Sequence, residues 1–278
     1  MRVISAGRIQ EVVSGLCLRA NHVLRPDVLA GLKSACAAEK NERARNILGA
    51  VIKNASLAKS KKLAICQDTG FPAVFLEVGQ DVRIKGGLKN AVIKGVEAGY
   101  KKGDLRKSVI RDPLARGSSS YRAAIIHTEI VQGSRLKITV MPKGFGCENK
   151  SQLKMFLPTA GSGEIKKFIV DAVRSAGPDA CPPYVVGVGI GGTADYACLL
   201  AKKALLKKCA GALALKSASR MEQELLRAIN GLNIGPMGLG GKTTCLGVNI
   251  VTYPTHIAGL PVAVNISCHA LRSASAVV

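Results

Sequence analysis

Cys66, Gln67, Asp68 and Thr69 stand in a row and are closed by Gly70, Phe71 and Pro72. A thiol, an amide, a carboxylate and a hydroxyl on consecutive residues, ending in Gly and Pro, make a tight loop. The apolar runs on either side, residues 63–65 and 73–78, read as buried strands. Strands would hold the loop rigid, and a rigid loop can aim several polar groups at one point, to bind a ligand, ligate a metal or move a proton. An ordinary Asx turn beside a buried thiol would use the same residues. Two more thiols share this setting. Cys181 precedes Pro182, Pro183 and a strand starting at Tyr184, while Cys268 follows the apolar run 261–266 and precedes His269. The three cysteines are 115 and 87 residues apart, a spacing that matches no zinc ribbon or ferredoxin run and names no metal.

The elements that must position these groups are of mixed type. Ile9, Val12, Val13 and Leu16 fall at helical spacing and predict a helix over 5–20. A second helix starts at Pro26, a favoured first helical position. A third is capped by Asn41, with Ala44, Ile47, Leu48 and Val51 inward. Helices are also expected over 86–102, 164–175, 194–208 and 219–230. Strands are expected over 124–131, 136–140, 184–188, 245–251 and 261–266, with loops at 112–120 and 141–151. No repeat or long linker divides the chain, so 1–278 reads as one α/β (mixed α+β) domain. Within it a helical part over about 1–60 precedes an α/β part over about 61–278.

Composition narrows the function classes. With 47% hydrophobic residues in 278 the chain can bury a full core. No apolar run reaches the length of a membrane span. Arg8, Gln10 and Glu11 interrupt the place where a secretory signal needs an apolar stretch, so a cytoplasmic location is expected. Nine cysteines, odd in number and without a C-x-x-C pair, read as thiols rather than a disulfide framework. Forty Lys plus Arg against eighteen Asp plus Glu give +22. That could signal a basic nucleic-acid-binding protein, but aromatics are 4% and Trp is absent, so stacking platforms are scarce. An acidic partner chain or an anionic substrate accounts for the charge equally well.

Two phosphate motifs fail on inspection. Gly187, Gly189 and Gly192 satisfy G-x-G-x-x-G, but no acid lies between Asp195 and Glu222 to meet a ribose. GLGGKTT at 238–244 resembles the end of a Walker A loop, yet its first glycine is Pro236 and a helix precedes it. Lys242 could still reach an anion there.

Taken together, AICQDTG at 64–70, KGFGCENKS at 143–151, CPPYVVGVGIGG at 181–192, KSASRMEQELLRAINGLNIGPMGLGGKTT at 216–244 and THIAGLPVAVNISC at 255–268 resemble one family. It is the class I, iron–sulfur fumarate hydratases and L-tartrate dehydratases, in their α subunit or N-terminal domain. The resemblance covers nearly the whole chain. It implies a 4Fe-4S cluster held by Cys66, Cys181 and Cys268. Three thiolates leave one iron without a protein ligand, free to act as a Lewis acid. The resemblance also implies that Gln67 binds substrate, that Asp68 binds it and transfers a proton, and that Arg106 grips a substrate carboxylate. His256, the second catalytic candidate, would lie near the substrate, and Gly144 and Gly146 would let backbone N–H groups approach it. Cys147 is expected to be packing. The implied reaction is the reversible hydration of fumarate to malate, with loss of water from L-tartrate as the alternative. In single-chain members a further domain supplies more catalytic groups. Here a separate β subunit is expected to bring them, in an α2β2 assembly, leaving this chain inactive alone.

Overall fold

The computed structural model describes residues 2–209 and 219–278. β1 (Arg2–Ser5) leads into α1 (Ala6–His22), α2 (Pro26–Ala38) and α3 (Glu42–Lys61). β2 (Phe71–Gly79), β3 (Val82–Lys85) and α4 (Leu88–Lys102) follow, then β4 (Val109–Asp112), β5 (Arg116–Ser120), β6 (Ile125–Val131) and β7 (Leu136–Lys143). Next come α5 (Phe145–Glu148), β8 (Gln152–Phe156), α6 (Ser162–Ala176), β9 (Tyr184–Gly192) and α7 (Ala194–Ala204). The order closes with α8 (Arg220–Asn230), β10 (Cys245–Thr255), β11 (Leu260–Ser267) and β12 (Ala274–Val277). The class is mixed α/β, as expected. Positions 216–218, which open the fourth family-like motif, lie outside the described residues.

The chain forms two compact units. The first holds Met1–Arg25, Ala55–Phe145 and Arg272–Val278; the second holds Pro26–Asn54 and Gly146–Leu271. The expected helical part is thus shared, with α1 in the first unit and α2 in the second.

In the first unit a sheet of order β12-β7-β2-β6 carries β2 parallel to β6 and antiparallel to β7. Val74 pairs with Val140 and Leu76 with Ile138, and all four are buried with Ile9, Val13 and Cys17 of α1 and Val92 and Val96 of α4. Each such side chain contributes about 1.5–3 kcal/mol of burial. The two helices pack closely because glycine faces the contact: a Cβ on Gly99 would lie 2.7 Å from the Ser14 carbonyl oxygen.

In the second unit the order is β10-β9-β11-β8, with β9 parallel to β10 and antiparallel to β11. Val186 and Val188 of β9 share a core with Ile169 and Val173 of α6 and Leu225 and Ile229 of α8. Helix α8 opens on a capping box in which Ser219 Oγ accepts from the Glu222 N–H and Glu222 accepts from the Ser219 N–H.

Several local expectations are corrected. Residues 63–65 are not a strand: α3 runs on to Lys61, Lys62 turns the chain with φ 53°, and Leu63 is exposed. The Ile65 N–H bonds the Asn21 carbonyl on α1 rather than a sheet neighbour. The loop at 112–120 holds the turn and second strand of the hairpin β4–β5, turned by Asp112 Oδ1 accepting from the Leu114 and Ala115 N–H groups. The strand expected over 184–188 is longer: β9 continues through Gly192, and α7 then starts at Ala194, where the helix is expected. Gly187 and Gly189 press against α7, where a Cβ would lie 2.2 Å from the Ala201 and 2.1 Å from the Ala197 carbonyl oxygens.

Candidate active site

In the first unit, loop 66–70 runs from the end of α3 into β2. Asp68 is its most constrained member. Its Oδ1 accepts from the Gly70 N–H at 2.9 Å, an Asx turn, and its Oδ2 accepts from the Phe145 N–H at 2.8 Å, just past the end of β7. A Cβ on Gly144 would lie 3.3 Å from that same Oδ2, so glycine lets the backbone come up to the carboxylate. Gly70 is required for a stronger reason. Its φ is +78°, and a Cβ there would lie 2.7 Å from the Pro142 carbonyl carbon. The half-buried carboxylate is therefore held in one direction by two backbone donors.

The rest of the loop is braced by its surroundings. Thr69 is buried, and its Oγ1 accepts from the Arg106 N–H at 3.1 Å, so Arg106 is anchored beside the loop by its backbone while its side chain is exposed. The buried Tyr100 hydroxyl reaches the carbonyls of Thr69 at 2.8 Å and Gly70 at 3.1 Å. Burial pushes the Tyr100 pKa up, which keeps this hydroxyl a donor. The Arg272 guanidinium donates to the Asp68 carbonyl. Cys66 Sγ lies 3.4 Å from Gln67 Oε1, with the thiol half-buried and the amide exposed. Cys66, Gln67, Asp68, Arg106 and Gly144 are thus one neighbourhood. Tyr100 and Arg272 join it without having been legible: the first reads as one more position on an amphipathic helix, the second as one basic residue among forty.

In the second unit Cys181 and Cys268 are neighbours. The Cys181 carbonyl accepts from the His269 N–H at 3.4 Å and lies 3.1 Å from His269 Nδ1. Nδ1 must then carry a proton, which sets the neutral ring's tautomer. Cys181 has φ +56°, an uncommon conformation for a residue with a side chain and a form of local strain found at functional positions.

His256 lies in the exposed turn between β10 and β11, where its Nδ1 accepts from the Ala258 N–H at 3.1 Å. Lys242 is exposed, and its backbone N–H is given to Glu39 Oε2 at 2.8 Å. Glu39 also accepts from the Lys40 and Asn41 N–H groups, so this carboxylate ties the 239–243 loop to the α2–α3 turn. Gly146 is exposed, and a Cβ there would meet nothing nearer than 4.0 Å.

None of the nine thiols is in a disulfide. Burial pushes Cys17 up to about 12 and raises Cys245 and Cys198 as well, which keeps them protonated and unsuited to ligation. Cys147 is buried and donates to the Ala180 carbonyl at 3.3 Å, a packing arrangement. Cys66, Cys181 and Cys268 are each partly exposed. As donors, soft thiols with solvent access fit an iron–sulfur cluster that must also meet a substrate. Cys66 belongs to the first unit and the other two to the second. Among the described residues, no group of three or more His, Cys, Asp or Glu side chains is arranged to hold a single metal ion. Nor is any helix among them long and apolar enough to cross a membrane.

Comparison with known proteins adds to this geometry. The model of the family described as "Fumarate hydratase (Fumerase)" matches residues 10–277. A protein of Methanocaldococcus jannaschii, provisionally named L(+)-tartrate dehydratase subunit alpha, is 40% identical over 277 residues, 96% of each chain. The L(+)-tartrate dehydratase subunit alpha of Escherichia coli K12 is 27% identical over 272 residues, 96% of this chain and 90% of its own. The protein of the same name from Shigella sonnei matches to the same extent.

Proposed function

The chain belongs to the fumarate hydratase (fumerase) family, and from that premise we propose that it is the α subunit of a 4Fe-4S hydro-lyase. Its reaction is the reversible addition of water to fumarate to give malate. The observation that carries this reading is Asp68, fixed by the Gly70 and Phe145 N–H groups beside Cys66 and above Gly144.

Breaking a C–H bond next to a carboxylate is hard because that proton is weakly acidic, and hydroxide is a poor leaving group. Cys66, Cys181 and Cys268 would hold the cluster, which when bound supplies a Lewis-acidic iron for the oxygen that leaves or adds. Asp68, aimed by its two donors, holds or takes the proton at its outward oxygen lone pairs. Gln67, exposed at the loop's edge, binds substrate by its amide, and the Arg106 fork grips a substrate carboxylate. Gly144 keeps side-chain bulk away from the Asp68 carboxylate, and with Gly146 it would let backbone N–H groups approach the substrate. His256 and Lys242 are assigned to the rim, where a hydrogen-bond donor and a cation suit a small dianion. With nine thiols and no disulfide, a reducing, cytoplasmic setting suits the chain. The relatives' names, which call them alpha subunits, support a β partner that completes the site in an α2β2 assembly.

Those same names favour L-tartrate as the second substrate reading. Anaerobic co-expression with a β subunit, followed by iron and sulfide analysis and assays on both acids, tests the proposal. Cys66→Ala should abolish the cluster and turnover, while Cys198→Ala should retain both. A pure, iron-loaded pair that acts on neither acid would overturn the function, and the ratio of kcat/KM values decides between substrates.

A further inference from the structure

We propose that Arg272 is a positioning residue that clamps the Asp68 peptide from behind, so that loop 66–70 presents its side chains in one fixed conformation. This rests on the hydro-lyase reading for its consequence in turnover, though not for its geometry.

Arg272 is 3% exposed. Its Nη2 donates to the Asp68 carbonyl, while Nε and Nη1 are buried with no acceptor among the described residues. A guanidinium taken from water with two nitrogens unmatched is costly, and a packed apolar side chain of equal volume would serve stability better. Stability therefore does not explain this residue, and what it touches does. The clamp has two jaws built on one pair of strands. β12, which starts two residues after Arg272, pairs with β7 through Ala274 and Val140. β7 ends at Lys143, two residues before the Phe145 N–H that holds the Asp68 carboxylate. The same strand pair thus fixes the donor to the Asp68 side chain and the donor to its carbonyl. Tyr100 continues the inner jaw on the carbonyls of Thr69 and Gly70. Three successive carbonyls are drawn inward, and Gln67, Cys66 and the Asp68 carboxylate stay towards solvent.

The test uses the co-expressed holoenzyme with Arg272→Met, which keeps the side-chain volume, and Arg272→Lys, which keeps the charge. Amide hydrogen exchange should accelerate at least about tenfold at 66–70 in Arg272→Met, with the amides of β2 and β7 unchanged. In the same variant kcat should fall at least about tenfold with KM within about twofold, because misplacement acts on the reacting geometry. Arg272→Lys should recover part of both effects, and it carries the exchange comparison if the methionine variant does not fold. Unchanged exchange at 66–70 overturns the clamp. So does an equal increase across β2 and β7, since that is the signature of a general packing role. If the wild-type holoenzyme hydrates no fumarate and dehydrates no tartrate, the functional reading falls while the exchange pattern still decides the clamp.

Discussion

Asp68 has two backbone donors for its two carboxylate oxygens, which makes Asp68→Asn a sharper experiment than loss of charge alone. An amide offers one acceptor and one donor, so one of the two N–H groups must face an NH2. The mismatch should cost about 1–3 kcal/mol locally. If Asp68 transfers the proton as proposed, its loss should lower kcat by about 100-fold or more. Iron and sulfide content should stay at the wild-type level, because Asp68 is not among the proposed ligands. Retained turnover in a cluster-loaded Asp68→Asn enzyme would remove Asp68 from the chemistry. At this scale the sequence was informative where polar types crowd into a short loop, as in residues 66–70. It was silent on Tyr100 and Arg272, because a hydroxyl on an apolar helix face and one arginine among many carry no local signal. Only the tertiary path of β12 and α4 makes them neighbours of the loop. Lys242 shows the opposite case: its motif suggested an anion cradle, yet its N–H is occupied by Glu39.

The elements were legible wherever periodicity ran long. α1, α2, α3, α6 and α8 follow their apolar stripes and caps, including the Asn41 side chain accepting from the Ala44 N–H at 3.1 Å. Short pieces were not. β1 and β3 span four residues each and are stabilised by parallel pairing with one another, a contact no local pattern announces. The strand β5 hides in a run of turn formers because Ser and Gly are tolerated where both faces are wet. The glycines of β9 matter most for what they allow. Gly189→Ala would drive a Cβ to 2.1 Å from the Ala197 carbonyl oxygen, backbone that cannot rotate away, so strand and helix must separate. A loss of about 3 kcal/mol or more is expected, at the upper end of overpacking costs. Gly49→Ala, in α3 with open space around it, should instead stabilise by about 0.5–1 kcal/mol. Denaturant midpoints of the two variants should move in opposite directions. A Gly189→Ala protein as stable as wild type would return these glycines to a ligand-binding role.

The whole molecule is assembled from segments distant in sequence: residues 272–278 join 55–145, and 26–54 join 146–271. Such non-local pairing costs loop-closure entropy and leaves no trace in composition, which is why the sheet orders were not legible. The net charge was legible, and it carries the last prediction. Ion pairs such as Arg8–Glu11, Lys137–Glu77 and Arg220–Glu224 join largely solvated groups and add little to stability. An excess of +22 therefore remains to repel itself and to attract anions. If the β subunit supplies the remaining site groups and an acidic face, two results should appear together. The α chain alone should bind iron and sulfide weakly and turn over below about 1% of the pair's rate, the scale of loss when groups that act as a unit are separated. The Kd for the pair, measured by titration calorimetry, should rise by about tenfold or more between 0.1 and 0.5 M salt, as screening shortens to a few ångströms. A salt-independent Kd would mean that the charge serves substrate capture rather than assembly. It would then appear instead as a salt-dependent kcat/KM for the dianion, because the same surplus of cations must act on whichever anion the protein meets.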